Sequence, residues 1–244
     1  MELPFACAVQ TGTGHLQRET PCQDSAQGVC AENACCIALA DGAGSRADSH
    51  RAAEAVTRAL SLALARDFDS WYALPDDALA RRLLTAATDA VRASAPGTEP
   101  ACTLLLFAAA RDGRCLMVHL GDGAILGAGT LGPVLLSGPE NGESREVTYF
   151  VGSAGALQHL RVQRTLPAGC HTVLLCSDGS AAALLHEQTR QVAPAVSVLA
   201  RMTATLPRAT AEQYMREDLD RLFRPHTPDD MSLAVLCLDP AAAD

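Results

Sequence analysis

Residues 35–45 of the chain read Cys-Cys-Ile-Ala-Leu-Ala-Asp-Gly-Ala-Gly-Ser, an apolar run that stops at a carboxylate followed by a glycine. The run is too short for a typical helix and is bounded by glycine, so it predicts a strand that is covered on both faces and ends at Asp41. Glycine allows a sharp turn there and leaves the Gly42 carbonyl beside the Asp41 carboxylate, and a hard cation binds such oxygens. An ordinary Asp-Gly turn explains the same residues.

The same pattern occurs twice more in the chain. Residues 117–123 read Met-Val-His-Leu-Gly-Asp-Gly and residues 173–179 read Val-Leu-Leu-Cys-Ser-Asp-Gly, so Asp122 and Asp178 also follow apolar runs. Three apolar strands that each end in Asp-Gly favour a shared role for the carboxylates over three separate turns. Further carboxylates at loop bends are Asp24, which ends a polar loop over 12–24, and the pair Asp229-Asp230.

Carboxylates that converge at one end of a fold require a counter-charge. Two of them about 4 Å apart repel by roughly 4 kcal/mol at an effective dielectric constant near 20. A divalent cation would remove this repulsion. All-oxygen ligation completed by water suits magnesium or manganese, whereas zinc would recruit histidines and cysteines.

Composition excludes several other classes of function. The 244 residues are 48% hydrophobic, enough for a sizeable core, and we expect one domain over 1–244. A net charge of -9 argues against a nucleic-acid partner. Because there is no basic region followed by a long apolar segment, we expect a cytoplasmic protein without a membrane partner.

The ten cysteines lie scattered in apolar runs without a Cys-x-x-Cys pair, and we interpret them as core side chains rather than disulfides or zinc ligands. His119 is interpreted as a strand residue rather than a ligand.

Hydrophobic periodicity predicts the remaining elements. Strands are expected over 5–11, 102–110, 115–120, 124–128, 161–166, 171–176 and 233–238, with irregular structure over 131–155 apart from a short strand at 147–151. Helices are expected from an N-cap at Ser49, after Pro75, and near 181–187, 194–206 and 211–223, the last with Leu222 on its apolar face. The strands over 102–128 follow one another without intervening helices and are predicted to form a meander, in which consecutive strands pair. This pattern indicates an α+β layered protein rather than a doubly wound parallel sheet.

Taken in order, five motifs resemble those of the metal-dependent type 2C (PPM) serine/threonine protein phosphatases, in particular the bacterial branch with an early Pro-Cys-Gln-Asp motif. The motifs are His15 to Asp24, Asp41-Gly42-Ala43-Gly44-Ser45, Gly121-Asp122-Gly123, Ser177-Asp178-Gly179 and Asp229-Asp230-Met231-Ser232. The resemblance spans nearly the whole chain. It implies a four-layer sandwich of two antiparallel β-sheets flanked by helices, with two metal ions, Mn²⁺ or Mg²⁺, at one end.

The resemblance also implies a role for each carboxylate. Asp41 would bridge both ions and Gly42 would offer its carbonyl to one, while Asp178 and Asp229 complete the other; these three aspartates are the candidate catalytic residues. Asp24 would act mainly through metal-bound waters, and Asp122 would help to hold a weaker third ion. The implied reaction is hydrolysis of phosphoserine or phosphothreonine on proteins by a hydroxide that bridges the ions, in opposition to a serine/threonine kinase system in bacterial signalling.

Three positions depart from the family pattern. Ala43 stands where many animal members carry a histidine proposed to protonate the leaving group, so the general acid is unassigned. Asp230 stands where the family usually has asparagine. Family members often carry an arginine before the first acidic motif to hold the phosphate, and Arg18 lies near this position but not in the same register. Arg18 is the first candidate for this role, since a guanidinium gives two parallel hydrogen bonds, and His15 competes for it.

Two other functions are compatible with these motifs. One is a catalytically inactive phosphatase-like module that binds phosphoproteins or signalling partners. The other is the output domain of a signalling protein, although we find no sensor segment in this sequence.

Overall fold

The computed structural model describes residues 3–46, 48–140 and 148–239. Its ten strands form two antiparallel five-stranded sheets. The strands are β1 (Phe5–Gln10), β2 (Asp24–Cys30), β3 (Ala34–Asp41), β4 (Leu104–Ala110), β5 (Cys115–Leu120), β6 (Ala124–Gly129), β7 (Gly132–Ser137), β8 (Arg161–Gln163), β9 (Cys170–Cys176) and β10 (Met231–Cys237). The first sheet has the order β1-β10-β9-β6-β7 and the second has the order β2-β3-β4-β5-β8.

Helices cover both outer faces, which gives the four-layer α+β sandwich that the motifs implied. They are α1 (Thr13–Gln17), α2 (Ser49–Arg66), α3 (Phe68–Tyr72), α4 (Asp76–Ser94), α5 (Ala156–His159), α6 (Asp178–Leu184), α7 (Ala195–Thr205) and α8 (Arg208–Asp218). A π-helical turn over Leu219–Phe223 continues α8, and a 3₁₀ turn follows it over Arg224–His226. Among the described residues, no helix combines the length and the apolar character needed to cross a membrane.

Strand β3 shows why its sequence is continuously apolar. Cys36 and Ala38 on one face pack into the core formed with α2 and α4, while Ile37 and Leu39 on the other face pack between the sheets. Successive side chains of a strand point to opposite faces, so burial of both faces requires an apolar residue at every position. The prediction of a doubly covered strand that ends at Asp41 is confirmed.

The predicted meander is only half correct. β4 and β5 pair antiparallel as expected, but β6 belongs to the other sheet, where it lies between β9 and β7. The chain crosses between the sheets directly after β5, at Gly121, whose φ of 115° favours glycine. A Cβ at this position would lie 2.5 Å from the Thr103 side chain. The crossover segment therefore carries Asp122.

Several short elements were not predicted. β2 follows the predicted loop, α1 lies within it, α3 follows α2, and β7 occupies part of the segment expected to be irregular. β8 is shorter than the expected strand over 161–166. The expected strand at 147–151 begins at Val147, which lies outside the described residues, and 148–151 form no regular strand.

Two side-chain predictions were wrong. Leu222 is 51% exposed, whereas Phe223 is 5% exposed. The π-helical turn explains this, because its extra residue rotates the apolar stripe onto the next position. Cys30 and Cys35 lie opposite each other across the β2–β3 pair and form a disulfide, so not all cysteines are unpaired core side chains.

Candidate metal centre

The start of β2 and the end of β3 bring two carboxylates side by side. Asp24 and Asp41 are directly opposite in the antiparallel register. The backbone of Asp41 is fixed by Thr103, the residue before β4: the Asp41 N–H donates to Oγ1 of Thr103 at 2.9 Å, and the Thr103 N–H donates to the Asp41 carbonyl at 2.8 Å. The second sheet thus holds the Asp41 carboxylate at its open end.

Gly42 is held from two sides. Its N–H donates to the carbonyl of Gln23 at 3.0 Å, and a Cβ would lie 2.7 Å from the carbonyl carbon of Ser49. The first turn of α2 therefore packs directly against the turn after Asp41, which only glycine permits. Ser49 is the first helical residue rather than the N-cap, which is Asp48.

The first sheet and the crossover supply two more carboxylates. Asp178 follows β9 and begins α6, and its Oδ1 accepts the N–H of Gly179 at 2.6 Å. Asp122, on the crossover after β5, accepts a hydrogen bond from the hydroxyl of Thr148 through Oδ2. Apolar strands from both sheets therefore deliver carboxylates to one end of the sandwich.

Asp41, Asp122 and Asp178 form a compact cluster. One carboxylate oxygen from each lies within 4.8 Å of the other two. Two charges at this separation repel by roughly 3 kcal/mol at an effective dielectric constant of 20. The donors are carboxylate oxygens, which match a hard divalent cation such as magnesium or manganese.

Burial raises the pKa of the carboxyl groups in and around this cluster. For Asp41, burial and the charges of Asp24 and Asp178 raise the pKa well above its usual value. Burial raises the pKa of Asp24 to about 8, and burial with the neighbouring charges of Asp122 and Asp229 raises that of Asp178 to about 7. Burial also raises the pKa of Asp122, although the Thr148 hydroxyl opposes this change. A bound cation would therefore have to displace protons at neutral pH.

Asp24 shows most directly that the described part of the chain supplies no positive partner to these carboxylates. Both of its carboxylate oxygens are buried and have no hydrogen-bond partner among the described residues, although the Ser177 and Ser232 hydroxyls moderate the rise of its pKa. A buried carboxylate without a partner is strongly destabilising, because it has lost its hydration. A cation or its water ligands would supply the missing interaction.

The two adjacent aspartates before β10 have different environments. Asp229 is exposed, and its Oδ1 accepts the Asp230 N–H at 2.9 Å. Asp229 lies outside the cluster of Asp41, Asp122 and Asp178, but its charge raises the pKa of Asp122 and Asp178. Asp230 is buried. Its Oδ1 accepts the N–H of Gly12 at 2.7 Å, and its Oδ2 accepts the N–H of Gln23 at 2.6 Å and contacts Nδ1 of His15 at 2.7 Å.

The two candidate phosphate ligands are also placed differently. His15 is 7% exposed and paired with Asp230. Arg18 is exposed at the end of α1 and forms no ion pair with any carboxylate that the structure describes. His119 is buried in β5 as predicted, with Nδ1 2.9 Å from Oγ of Ser137.

Sequence reasoning missed two residues that build this site. Thr103 is the only polar residue in the apolar run 102–110, and this isolated hydroxyl was the available signal. Asp230 was noted only as a departure from an expected asparagine. Its three contacts depend on the way that the N-terminal loop folds onto β10, and no sequence pattern shows this.

Comparison with known proteins agrees with the motifs. The family model described as protein phosphatase 2C matches residues 11–224. No curated protein sequence matches the chain.

Solved structures similar to the chain include a C. elegans sex-determining protein, with a TM-score of 0.68, 14% identity and coverage of 100% of this chain and 67% of that one. The serine/threonine phosphatase Stp1 from Staphylococcus aureus has a TM-score of 0.59 and 14% identity, with 98% and 96% covered. RsbX in complex with magnesium has a TM-score of 0.55 and 12% identity, with 98% and 96% covered. At these identities the likeness concerns the fold alone.

Proposed function

Since the chain belongs to the protein phosphatase 2C family, we propose that it hydrolyses phosphoserine and phosphothreonine on proteins at a centre of two divalent cations. The observation that carries this proposal is the convergence of Asp41, Asp122 and Asp178 from both sheets within 4.8 Å. Such a cluster in an apolar sandwich is costly without a cation, and a family phosphatase requires one at this position.

The donor set fits Mn²⁺ or Mg²⁺. Asp41 is the residue that would serve both cations, because the charges of the other four carboxylates all act on it and raise its pKa. Asp178, Asp229 and the Gly42 carbonyl would complete the ligand set, Asp24 would act through metal-bound water, and Asp122 would help to hold a weaker third ion. When bound, the cations supply a hydroxide nucleophile at neutral pH and neutralise the phosphoryl oxygens.

The remaining residues position these ligands and the substrate. Asp230 ties Gln23 to the turn before β10, and Gln23 in turn accepts the N–H of Gly42, so one hydrogen-bonded chain aligns three motifs. Arg18 holds the phosphate, because its guanidinium is exposed and the structure describes no carboxylate that pairs with it. His15 serves Asp230 instead. The substrate is a phosphoprotein, and an opposing serine/threonine kinase system supplies it.

An inactive phosphoprotein-binding module is the less favoured alternative. Such a module needs no carboxylate cluster, whereas here the ligand carboxylates are all present.

Hydrolysis of p-nitrophenyl phosphate with and without added manganese tests the proposal. We expect metal-dependent turnover that Asp41→Asn lowers by at least about a thousandfold, because the amide cannot replace the charge that serves both cations. Asp89→Asn is the matched control, since Asp89 is exposed on α4 and its ion pair with Arg92 is exposed as well. No turnover above blank at any metal concentration, or near-wild-type turnover by Asp41→Asn, would contradict the proposal.

A further inference from the structure

A polar cavity lies between β7 and β8, each of which is an edge strand of its own sheet. Its volume is about 410 Å³. Two guanidinium groups converge in it on Gly138. Nη2 of Arg161 donates to the Gly138 carbonyl at 2.8 Å, and Nη2 of Arg190 lies over the Gly138 backbone, in the space that a Cβ would occupy.

These two cations are not fully neutralised by the protein. Nε of Arg161 lies 3.2 Å from Oε2 of Glu140, but Glu140 also contacts Nδ1 of His159 at 2.7 Å through its other oxygen. Arg190 has no carboxylate partner among the residues that the structure describes. Burial lowers the pKa of Arg161; the Glu140 charge opposes this change, and the positive charge of Arg190 adds to it, so the two guanidinium groups lie close enough to repel each other. In a chain with a net charge of -9, this is a local excess of positive charge.

Arg190 is held in place by an unusual backbone conformation. Its φ is 58°, in the left-handed region that residues other than glycine rarely adopt. The loop is closed by three contacts: Arg190 N–H to the His186 carbonyl at 2.8 Å, His186 N–H to the Gln191 carbonyl at 2.9 Å, and a β-bridge between Leu185 and Val192. Strained conformations of this kind persist where the surroundings enforce them, often at binding sites.

Arg190 also lines a groove that reaches the candidate metal centre. This groove has a volume of about 530 Å³, and its walls include Asp122, Asp178, Pro139, Leu185, Glu187 and Arg190. One side chain thus belongs both to the groove beside two metal-ligand candidates and to the cavity that contains Arg161. A substrate that occupies the groove with its phosphoryl group at the carboxylate cluster would extend toward the two guanidinium groups.

We infer that Arg190 and Arg161 bind a second oxyanion of the substrate, a carboxylate or a second phosphate that flanks the scissile phosphoserine. The inference rests on the proposed function and adds a substrate class to it: phosphoproteins with an acidic or doubly phosphorylated sequence. Arg190 contributes the forked pair of N–H donors that matches a carboxylate or phosphate, and Arg161 adds charge behind it. The anionic substrate is thereby held against the repulsion of an acidic protein.

The experiment compares phosphoserine peptides that differ at one flanking position only. Glutamate, a second phosphoserine or glutamine is placed at each position from one to four residues before or after the scissile phosphoserine. The readout is the ratio of kcat/KM between an anionic peptide and its glutamine counterpart. We expect this ratio to reach about three to five in the wild type at the best position, and to be larger for the doubly phosphorylated peptide. In Arg190→Ala it should fall to near one, whereas Arg201→Ala, which removes an exposed arginine of α7, should leave it unchanged.

A charge reversal separates a direct contact from a change in folding. Arg190→Glu should prefer a peptide with lysine at the best position over the glutamine peptide. A wild-type ratio near one at every position, or equal ratios in wild type and Arg190→Ala, would overturn the inference even if p-nitrophenyl phosphate is hydrolysed. If p-nitrophenyl phosphate is not hydrolysed, the proposed function fails instead, and fluorescence anisotropy of the same peptides measures the ratio as a ratio of affinities.

Discussion

Asp24→Asn should make the metal-free protein more stable at alkaline pH while it weakens the stabilisation by metal. The carboxylate of Asp24 is buried, without a hydrogen-bond partner among the described residues, and opposite Asp41 in the strand register. When it ionises in the folded chain, it loses hydration and is repelled by the charges of Asp178 and Asp230, which the Ser177 and Ser232 hydroxyls offset only in part. An amide of the same shape carries no charge to bury.

The magnitude follows from the pKa of Asp24. Burial raises this pKa to about 8, whereas an aspartate in the unfolded chain titrates near 4. Between these values the folded state binds more protons than the unfolded state, so the free energy of unfolding falls as the pH rises. Each pH unit in this window costs about 1.4 kcal/mol. From pH 5.5 to pH 8 the loss attributable to Asp24 is therefore roughly 3 kcal/mol, less any share of the proton held by Asp41.

Urea unfolding in excess chelator measures this loss of unfolding free energy, with the fluorescence of the single tryptophan, Trp71, as the signal. The wild type should lose roughly 3 kcal/mol more than Asp24→Asn between pH 5.5 and pH 8. Asp89→Asn, an exposed change of the same chemistry, should follow the wild type. Saturating manganese should reverse the order at pH 8, since the wild type binds the cations more tightly. Parallel pH profiles of wild type and Asp24→Asn would refute the assignment of the pH dependence to this carboxylate.

Three further predictions concern the residues that position the site. Gly42→Ala should lower the free energy of unfolding by about 2 kcal/mol, because its Cβ would lie 2.7 Å from the Ser49 backbone. Gly44→Ala, whose Cβ would lie 3.7 Å from Oε1 of Gln23, should be neutral in the same urea titration. Asp230→Ala should lower the free energy of unfolding by about 3 kcal/mol, because the substitution leaves the N–H groups of Gly12 and Gln23 buried without an acceptor. The apparent manganese affinity measured by activity should fall as well. Arg18→Ala should raise KM for a phosphopeptide and weaken inhibition by free phosphate, with little change in manganese affinity. If phosphate inhibition is lost in His15→Ala but not in Arg18→Ala, then His15 rather than Arg18 binds the phosphate.

The carboxylates at the strand ends were readable from the sequence because strand burial imposes a local rule. A strand covered on both faces needs an apolar residue at every position, so the first charged residue marks the point where the strand leaves the core. This rule located Asp41 and Asp122 at the correct ends of β3 and β5, and Asp178 one residue after Ser177, which follows β9. Their convergence then followed from the family resemblance, not from the pattern itself.

The assignment of strands to sheets was not readable, because it is a non-local property. β5 and β6 are both apolar and separated by three residues, so their sequences look like a hairpin, yet they belong to different sheets. The left-handed conformation of Gly121 directs the chain across the sandwich, and a lone glycine is equally compatible with a hairpin turn. The Asp230 contacts likewise join residues more than 200 positions apart.

The crossover also determines what a bound cation does to the fold. Asp24 and Asp41 come from the second sheet, Asp178 follows a strand of the first, and Asp122 lies on the segment that joins them. Without a cation, these carboxylates repel one another across the interface between the sheets at a pH that ionises them, and their charge then opposes the apolar packing of Ile37, Phe107 and Leu175 behind them. A cation ligated from both sides changes this repulsion into attraction between the sheets. Metal binding and the stability of the sandwich are therefore two measurements of the same interaction, and a substitution that weakens one must weaken the metal-dependent part of the other.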